Sequence, residues 1–169
     1  MSDSTIEFSI RSFRPDDLPA CRQLYIEGLI GGKLAENDTA LDLDDIESTY
    51  LNTPGNHFWV AQMADGDVVG MIGVQHHEQD EGEIRRLRVS ADHRRRGIGS
   101  ALLEVALKFC QDNQYLKITL DTFMEREPAI KLFEKFRFHH SRTRNVAGRD
   151  LLYFYLDLYV SDRVNRREK

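Results

Sequence analysis

The stretch Ile6-Glu7-Phe8-Ser9-Ile10 alternates apolar and polar side chains, the period of a half-buried strand. Arg14-Pro15-Asp16-Asp17 then reads as a turn with acidic helix-start residues. Leu18, Cys21, Leu24, Tyr25 and Leu29 follow at helical spacing, in a helix that Gly28, Gly31 and Gly32 bring to an end. The segment from Gly31 to Ala40 is polar and poorly patterned, as expected of a mobile loop. A second helix is predicted from Asp42 to Leu51, stopping near Asn52-Thr53-Pro54-Gly55. Two strands, His57 to Met63 and Val68 to Gln75, are joined by Asp65-Gly66, a hairpin signal.

The next strand, Glu83 to Ser90, breaks its own period. Ile84, Leu87 and Val89 are spaced by three and then two, so they cannot share one face of a regular strand. A bulge adds one residue and bends the strand, which would bring all three to the core side. After the basic turn Arg94 to Gly97, the positions Leu102, Leu103, Val105, Ala106 and Phe109 describe an amphipathic helix to about Asn113. Tyr115 to Asp121 suits a strand, and Pro128 opens a helix striped by Ile130, Leu132, Phe133 and Phe136. Strands around Phe138 to Asn145 and Arg149 to Val160 flank Ala147-Gly148, and residues 162–169 read as a frayed tail. The order is β-α-α-β-β-β-α-β-α-β-β. It predicts an α/β (α+β) chain with a mixed central sheet, about four helices on its faces and a bulged middle strand.

At 169 residues the chain suffices for one domain, 1–169. Its 41% hydrophobic and 30% charged residues are ordinary for a globular protein. The net charge of −5 argues against general affinity for nucleic acid or an anionic membrane surface, since phosphate binding needs a surplus of Lys and Arg. Cys21 and Cys110 are too few for a disulfide framework and wrong for a zinc site, so no metal is expected and a cytoplasmic location is. The polar, acidic N-terminus is unlike a signal peptide, and no apolar run is long enough to span a membrane.

The chemistry concentrates between Glu83 and Cys110. A helix opening with Gly97-Ile98-Gly99-Ser100 presents unpaired backbone N–H groups and the positive end of its dipole. Arg94, Arg95 and Arg96 add charge, making a site for a phosphate or pyrophosphate. No Lys follows Gly99, so this is not a Walker loop, and Leu102 stands where a dinucleotide fingerprint needs its third glycine.

Arg94-Arg95-Arg96-Gly97-Ile98-Gly99 resembles the Gln/Arg-x-x-Gly-x-Gly/Ala signature of the GCN5-related N-acetyltransferase (GNAT) superfamily. The resemblance extends through Glu83-Ile84-Arg85-Arg86-Leu87-Arg88-Val89, Leu120-Asp121-Thr122 and Ala129 to Phe138, roughly Glu83 to Phe138 in all. It implies acetyl-CoA as co-substrate, with the pantetheine arm along Leu87, Arg88 and Val89. The pyrophosphate is expected on Arg94, Arg95, Arg96, Gly97, Ile98, Gly99 and Ser100, with Arg126 in reach of the phosphates or capping a helix. It also implies an N-acetyltransferase acting on a primary amine of a small molecule or protein, with homodimers as the default assembly.

An ammonium acceptor must lose a proton before it attacks, and Glu83 is the first candidate base. Three positions depart from the family pattern: Arg126 for its usual Asn, Phe133 for its usual Tyr, and Arg137 for its usual Gly. Phenylalanine cannot protonate the leaving thiolate, so either another donor serves, such as Tyr153, Tyr155 or water, or the thiolate leaves unassisted. The alternative is a non-catalytic acyl-CoA sensor. Arg85, Arg86 and Arg88 hint at a carboxylate-bearing acceptor, since guanidinium pairs such groups bidentately.

Overall fold

A computed structural model describes residues 7–158. Seven strands form one sheet: β1 (Phe8–Ser12), β2 (His57–Met63), β3 (Val68–His77), β4 (Glu81–Val89), β5 (Lys117–Phe123), β6 (His139–Val146) and β7 (Arg149–Asp157). Their order is β1-β2-β3-β4-β5-β7-β6, antiparallel throughout except for the parallel pair β4–β5. Three α-helices cover the faces: α1 (Leu18–Glu27), α2 (Ile98–Asp112) and α3 (Glu127–Lys135). The expected fold class is the one observed.

Each face has its own core. On one side Leu102, Leu103 and Ala106 of α2 and Phe133 of α3 meet Ile72, Val74, Ile84, Ile118, Leu120 and Phe154. On the other, Cys21, Leu24 and Tyr25 of α1 meet Phe13, Ile46, Tyr50, Phe58, Val60 and Met71. Strands buried on both faces read as apolar runs, which is why β2 and β3 are so rich in Val, Ile, Phe and Trp.

The bulge stands where the broken period placed it. Met71 pairs with Arg88 and Gly73 with Arg85, so Arg86 and Leu87 together oppose the single residue Ile72. Arg86 absorbs the extra residue at φ +60, a left-handed conformation rare outside glycine. Ile84 is buried in the α2 core, and Leu87 and Val89 pack on the same cluster.

Several details differ from the sequence reading. The helix expected over Asp42–Leu51 is broken into a 3-10 turn at Leu41–Leu43 and a widened helical turn at Glu47–Leu51. The break has a local cause: Asp45 Oδ1 accepts a hydrogen bond from the Ser48 amide at 2.9 Å, so it starts a helix instead of continuing one. β1 is described from Phe8 and β7 to Asp157; Ile6, residues 159–160 expected in the last strand, and the 162–169 tail lie outside the described residues. β5 begins at Lys117 because the Tyr115 amide is engaged by Cys110 O at 3.0 Å in closing α2. The stretch from Gly31 to Ala40, expected to be mobile, is pinned at Asp38.

Candidate active site

β4 and β5 pair only from Glu81 to Glu83 against Lys117 to Thr119, and then part. Beyond Glu83 the bulge turns β4 away, so its backbone groups on that edge face a gap instead of a neighbouring strand. A cavity of about 370 Å³ opens there. Its walls come from the bulged strand, the far half of β5, the start of α3, the Leu29–Asp38 segment and the tip of the β6–β7 hairpin. That volume lies at the small end of ligand sites.

Glu83 lines this cavity and also a neighbouring one that holds Asp121 and Tyr153. Burial raises the Glu83 carboxyl above its ordinary value; the Arg85 charge opposes the shift and that of Asp121 adds to it. The pairing with Arg85 is loose, at 3.9 Å. Asp121 is raised as well, by burial, against the pull of Arg85 and Arg144. Two carboxylates thus line one slot, Glu83 half-buried and Asp121 more exposed, each raised above its ordinary value.

Tyr153 lies under the Arg142 guanidinium, whose carbon is 4.0 Å from the ring centroid. Phe133 is 4% exposed and lines the main cavity, so the place of the usual tyrosine hydroxyl is apolar. The main cavity does contain the Tyr25 phenol, which donates to Asp38 at 3.0 Å. Sequence reading passed over Asp121 and Tyr25. Asp121 carried one faint signal, an acidic residue in an otherwise apolar and β-branched strand, whereas Tyr25 read as an ordinary core position.

Of the three arginines expected to favour a carboxylate, the structure commits two elsewhere. Arg86 turns to the α1 face and is held by Asp38 and Asp42 at 2.5–2.9 Å, with its guanidinium carbon 5.2 Å from the Tyr25 ring centroid. The network is closed by Tyr50, whose hydroxyl donates to Asp42 at 2.6 Å. Arg85 donates to Gln75 Oε1 at 3.1 Å. Arg88 is left. Its Nη1 donates to Leu87 O at 2.8 Å, and its Nε is buried with no partner. Arg126 ends beside it, with Nη2 donating to Gly28 O at 2.7 Å.

The anion turn keeps its expected shape. Gly97 caps α2 at φ +80, Arg95 precedes it at φ +63, and no side chain caps the helix. Nothing lies within 4 Å of where a Gly97 Cβ would stand, so the helix start is open at that residue. Gly99 is different: a Cβ there would stand 3.3 Å from Leu132 Cδ2 and 3.8 Å from Val89 Cγ2, so its small size also serves packing of α2 against α3 and β4. Arg94, Arg95 and Arg96 are exposed around the turn. An uncapped helix start ringed by arginines fits a diphosphate. Cys21 and Cys110 are buried free thiols, each pushed up to about 12 by burial, and so are unsuited as nucleophiles. No helix among the described residues is long and apolar enough to cross a membrane.

A splayed β4–β5 pair, a bulge at the fork and an uncapped Arg-rich helix start define an acyl-CoA-dependent transferase fold. The acetyltransferase (GNAT) family model matches residues 18–138, and the chain belongs to that family. N-acetylaspartate synthetase of Rattus norvegicus is 37% identical over 129 residues, covering 75% of this chain and 42% of the rat protein. N-acetyltransferase 8 of Homo sapiens is 34% identical over 102 residues, covering 57% of this chain and 44% of the human one. The chain thus matches less than half the length of these relatives. Among solved structures, a GNAT-family acetyltransferase from Staphylococcus aureus Mu50 superposes with a TM-score of 0.78 at 20% identity, covering 90% of this chain and 99% of the other. A GCN5-related N-acetyltransferase from Kribbella flavida gives 0.76 at 21% identity, covering 89% and 98%. At such identities the likeness is one of fold.

Proposed function

We propose that this chain is an N-acetyltransferase that moves an acetyl group from acetyl-CoA to the primary amine of a small acceptor by direct attack. The observation that carries the reading is the cavity at the β4–β5 fork with Glu83 in its wall. The family membership supports acetyl-CoA as donor, and the names of the relatives support an amine acceptor, in one case aspartate.

Acetyl-CoA supplies a thioester carbonyl with a good leaving group. The turn from Arg94 to Ser100 holds the diphosphate through first-turn amides and guanidinium charge. Backbone groups of Leu87, Arg88 and Val89, freed where β4 leaves β5, align the pantetheine arm and meet the developing oxyanion. Glu83, held partly buried, takes the proton from the acceptor ammonium directly or through water, with Asp121 beside it to share the proton. Phe133 makes an apolar seat at the thioester. The departing thiolate is then protonated by water or by a phenol, and Tyr153, on the Asp121 side of the slot, is the candidate. Two buried free thiols fit a cytoplasmic location, and homodimer assembly belongs to the same reading.

The test is release of CoA thiol from acetyl-CoA against a panel of amines, with the product identified by mass spectrometry. Glu83→Gln should lower kcat by about a hundredfold, within the range for a general base, while acetyl-CoA binding is kept. Tight acetyl-CoA binding with no turnover on any amine would overturn the reading in favour of a sensor.

A further inference from the structure

Within the cavity beside Glu83, four arginines of β4 and α3 divide into two kinds. Arg86 is neutralised by Asp38 and Asp42, and Arg85 leans toward Glu83 and Gln75. Arg88 and Arg126 make no ion pair among the described residues. They nevertheless come together from opposite sides of the sequence. A Cβ on Gly28 would lie 2.8 Å from Arg88 Nε, and the carbonyl of that same glycine accepts the Arg126 bond. Burial, and after it the Arg126 charge, push the Arg88 guanidinium below its ordinary value; Arg126 is lowered too, by burial first. Two half-buried like charges, one with an orphaned Nε, are costly unless an anion joins them.

Resting on the acetyltransferase reading above, we infer that Arg88 and Arg126 form a subsite for a carboxylate of the acceptor. The subsite selects free amino acids over polyamines and over lysine or N-terminal amines of proteins.

Position supports the assignment. Leu87 and Val89 face the α2 core, whereas Arg88 points the other way, onto the C-terminal end of α1. The strand therefore turns its backbone to the donor and its Arg88 side chain to the acceptor. The cavity is also flanked by the last hairpin. A Cβ on Gly31 would stand 3.2 Å from Arg149 Nη2, so the β6–β7 hairpin reaches the Leu29–Asp38 segment above the site. The contact bounds one side of a cavity whose volume of about 370 Å³ suits a molecule of amino-acid size. A guanidinium pair can grip one carboxylate with up to four N–H donors, and each charge-assisted bond adds discrimination against an acceptor lacking the acid.

The experiment is steady-state kinetics on the full chain with the common L-amino acids, their α-carboxamides and putrescine. The wild type should favour its best amino acid over the matching carboxamide by about tenfold to a hundredfold in kcat/KM. Arg126→Met should raise the KM of the amino acid by a similar factor and erase that preference, with the KM of acetyl-CoA unchanged. Arg88→Lys, which keeps charge and loses the fork, gives a second and milder variant should Arg126→Met not fold. If the KM of acetyl-CoA rises instead, the two arginines hold a cofactor phosphate and the inference is overturned. Equal use of acids, carboxamides and putrescine also overturns it, while leaving the transferase reading intact. Calorimetry with CoA and N-acetyl amino acids against their amides reads the subsite without turnover, and equal affinity there rejects it whatever the activity.

Discussion

Gly28 and Arg88 touch so closely that the helix end serves as the seat of the side chain. With a Cβ at Gly28, Arg88 Nε would be 2.8 Å away and Cδ 2.9 Å. Gly28 has φ −84 and ψ 0, which alanine adopts without strain. Gly28→Ala therefore evicts a flexible side chain and leaves the backbone alone. We expect the acceptor KM to rise several-fold while Tm moves by no more than about 2 °C, the shift of at most about 1 kcal/mol in a chain this size. A large fall in Tm would mean that Gly28 serves the packing of α1 instead.

The Arg86 network ties the Leu29–Asp38 segment to the bulge. Its side chains are largely buried, 5% exposed for Arg86, 9% for Asp42 and 20% for Asp38. Arg86→Met strands two carboxylates without their cation, a change that typically costs about 3–5 kcal/mol. At roughly 2–4 °C per kcal/mol, Tm should fall by about 10 °C. A variant as stable as the wild type would show that the network is not structural.

The same network sets an acid limit. Burial by itself would raise the Asp38 and Asp42 carboxyls, but hydrogen bonds from Arg86, helped by Ala40 N–H and Tyr50, outweigh it and hold both below the ordinary value. A carboxyl lowered in the folded state contributes stability above its unfolded pKa and loses it as pH falls through the folded one. Stability measured by denaturant should therefore be level above about pH 5 and decline below about pH 4. Asp38→Asn should lower the plateau and flatten that decline. An unchanged acid slope in the variant would assign the loss to other groups.

The anion turn is best tested through its arginines, because Gly99 also fills a packing role against Leu132. Arg95→Ala and Arg96→Ala remove exposed charge without touching the core. Each should raise the KM of acetyl-CoA by roughly tenfold at low salt, and by less at high salt where the field is screened. Tm and the acceptor KM should stay put. If neither substitution alters the acetyl-CoA KM, the diphosphate sits elsewhere.

Arg137 occupies the left-handed position after α3, at φ +69. Its amide donates to Glu134 O and that of Phe138 to Phe133 O, the two bonds of a Schellman end. Glycine takes this conformation at little cost, whereas other L-residues lose about 1–2 kcal/mol there. The Arg137 side chain is exposed, so Arg137→Gly should stabilise the chain by about 1 kcal/mol and raise Tm by roughly 2–4 °C. A lower Tm would reveal a contact made by the guanidinium.

What the sequence determined by itself was local. The three-then-two spacing of Ile84, Leu87 and Val89 forces a bulge, and an Arg-rich turn running into Gly97 and Gly99 makes an anion site from neighbours in the chain. Both depend on residues a few positions apart, where period and backbone geometry decide the outcome. Even the break at Asp45 was local, a capping aspartate inside what looked like one helix. Which arginines remain free to meet a ligand was decided only by tertiary structure. Arg86 finds Asp42 and Asp38 across 44 and 48 residues, and Arg126 meets Gly28 across 98. Glu83 faces Asp121 because a parallel pairing, with α2 as its crossover, sets β4 beside β5. Charge carries no period and acts through space, so its partners are fixed when the sheet forms and not before.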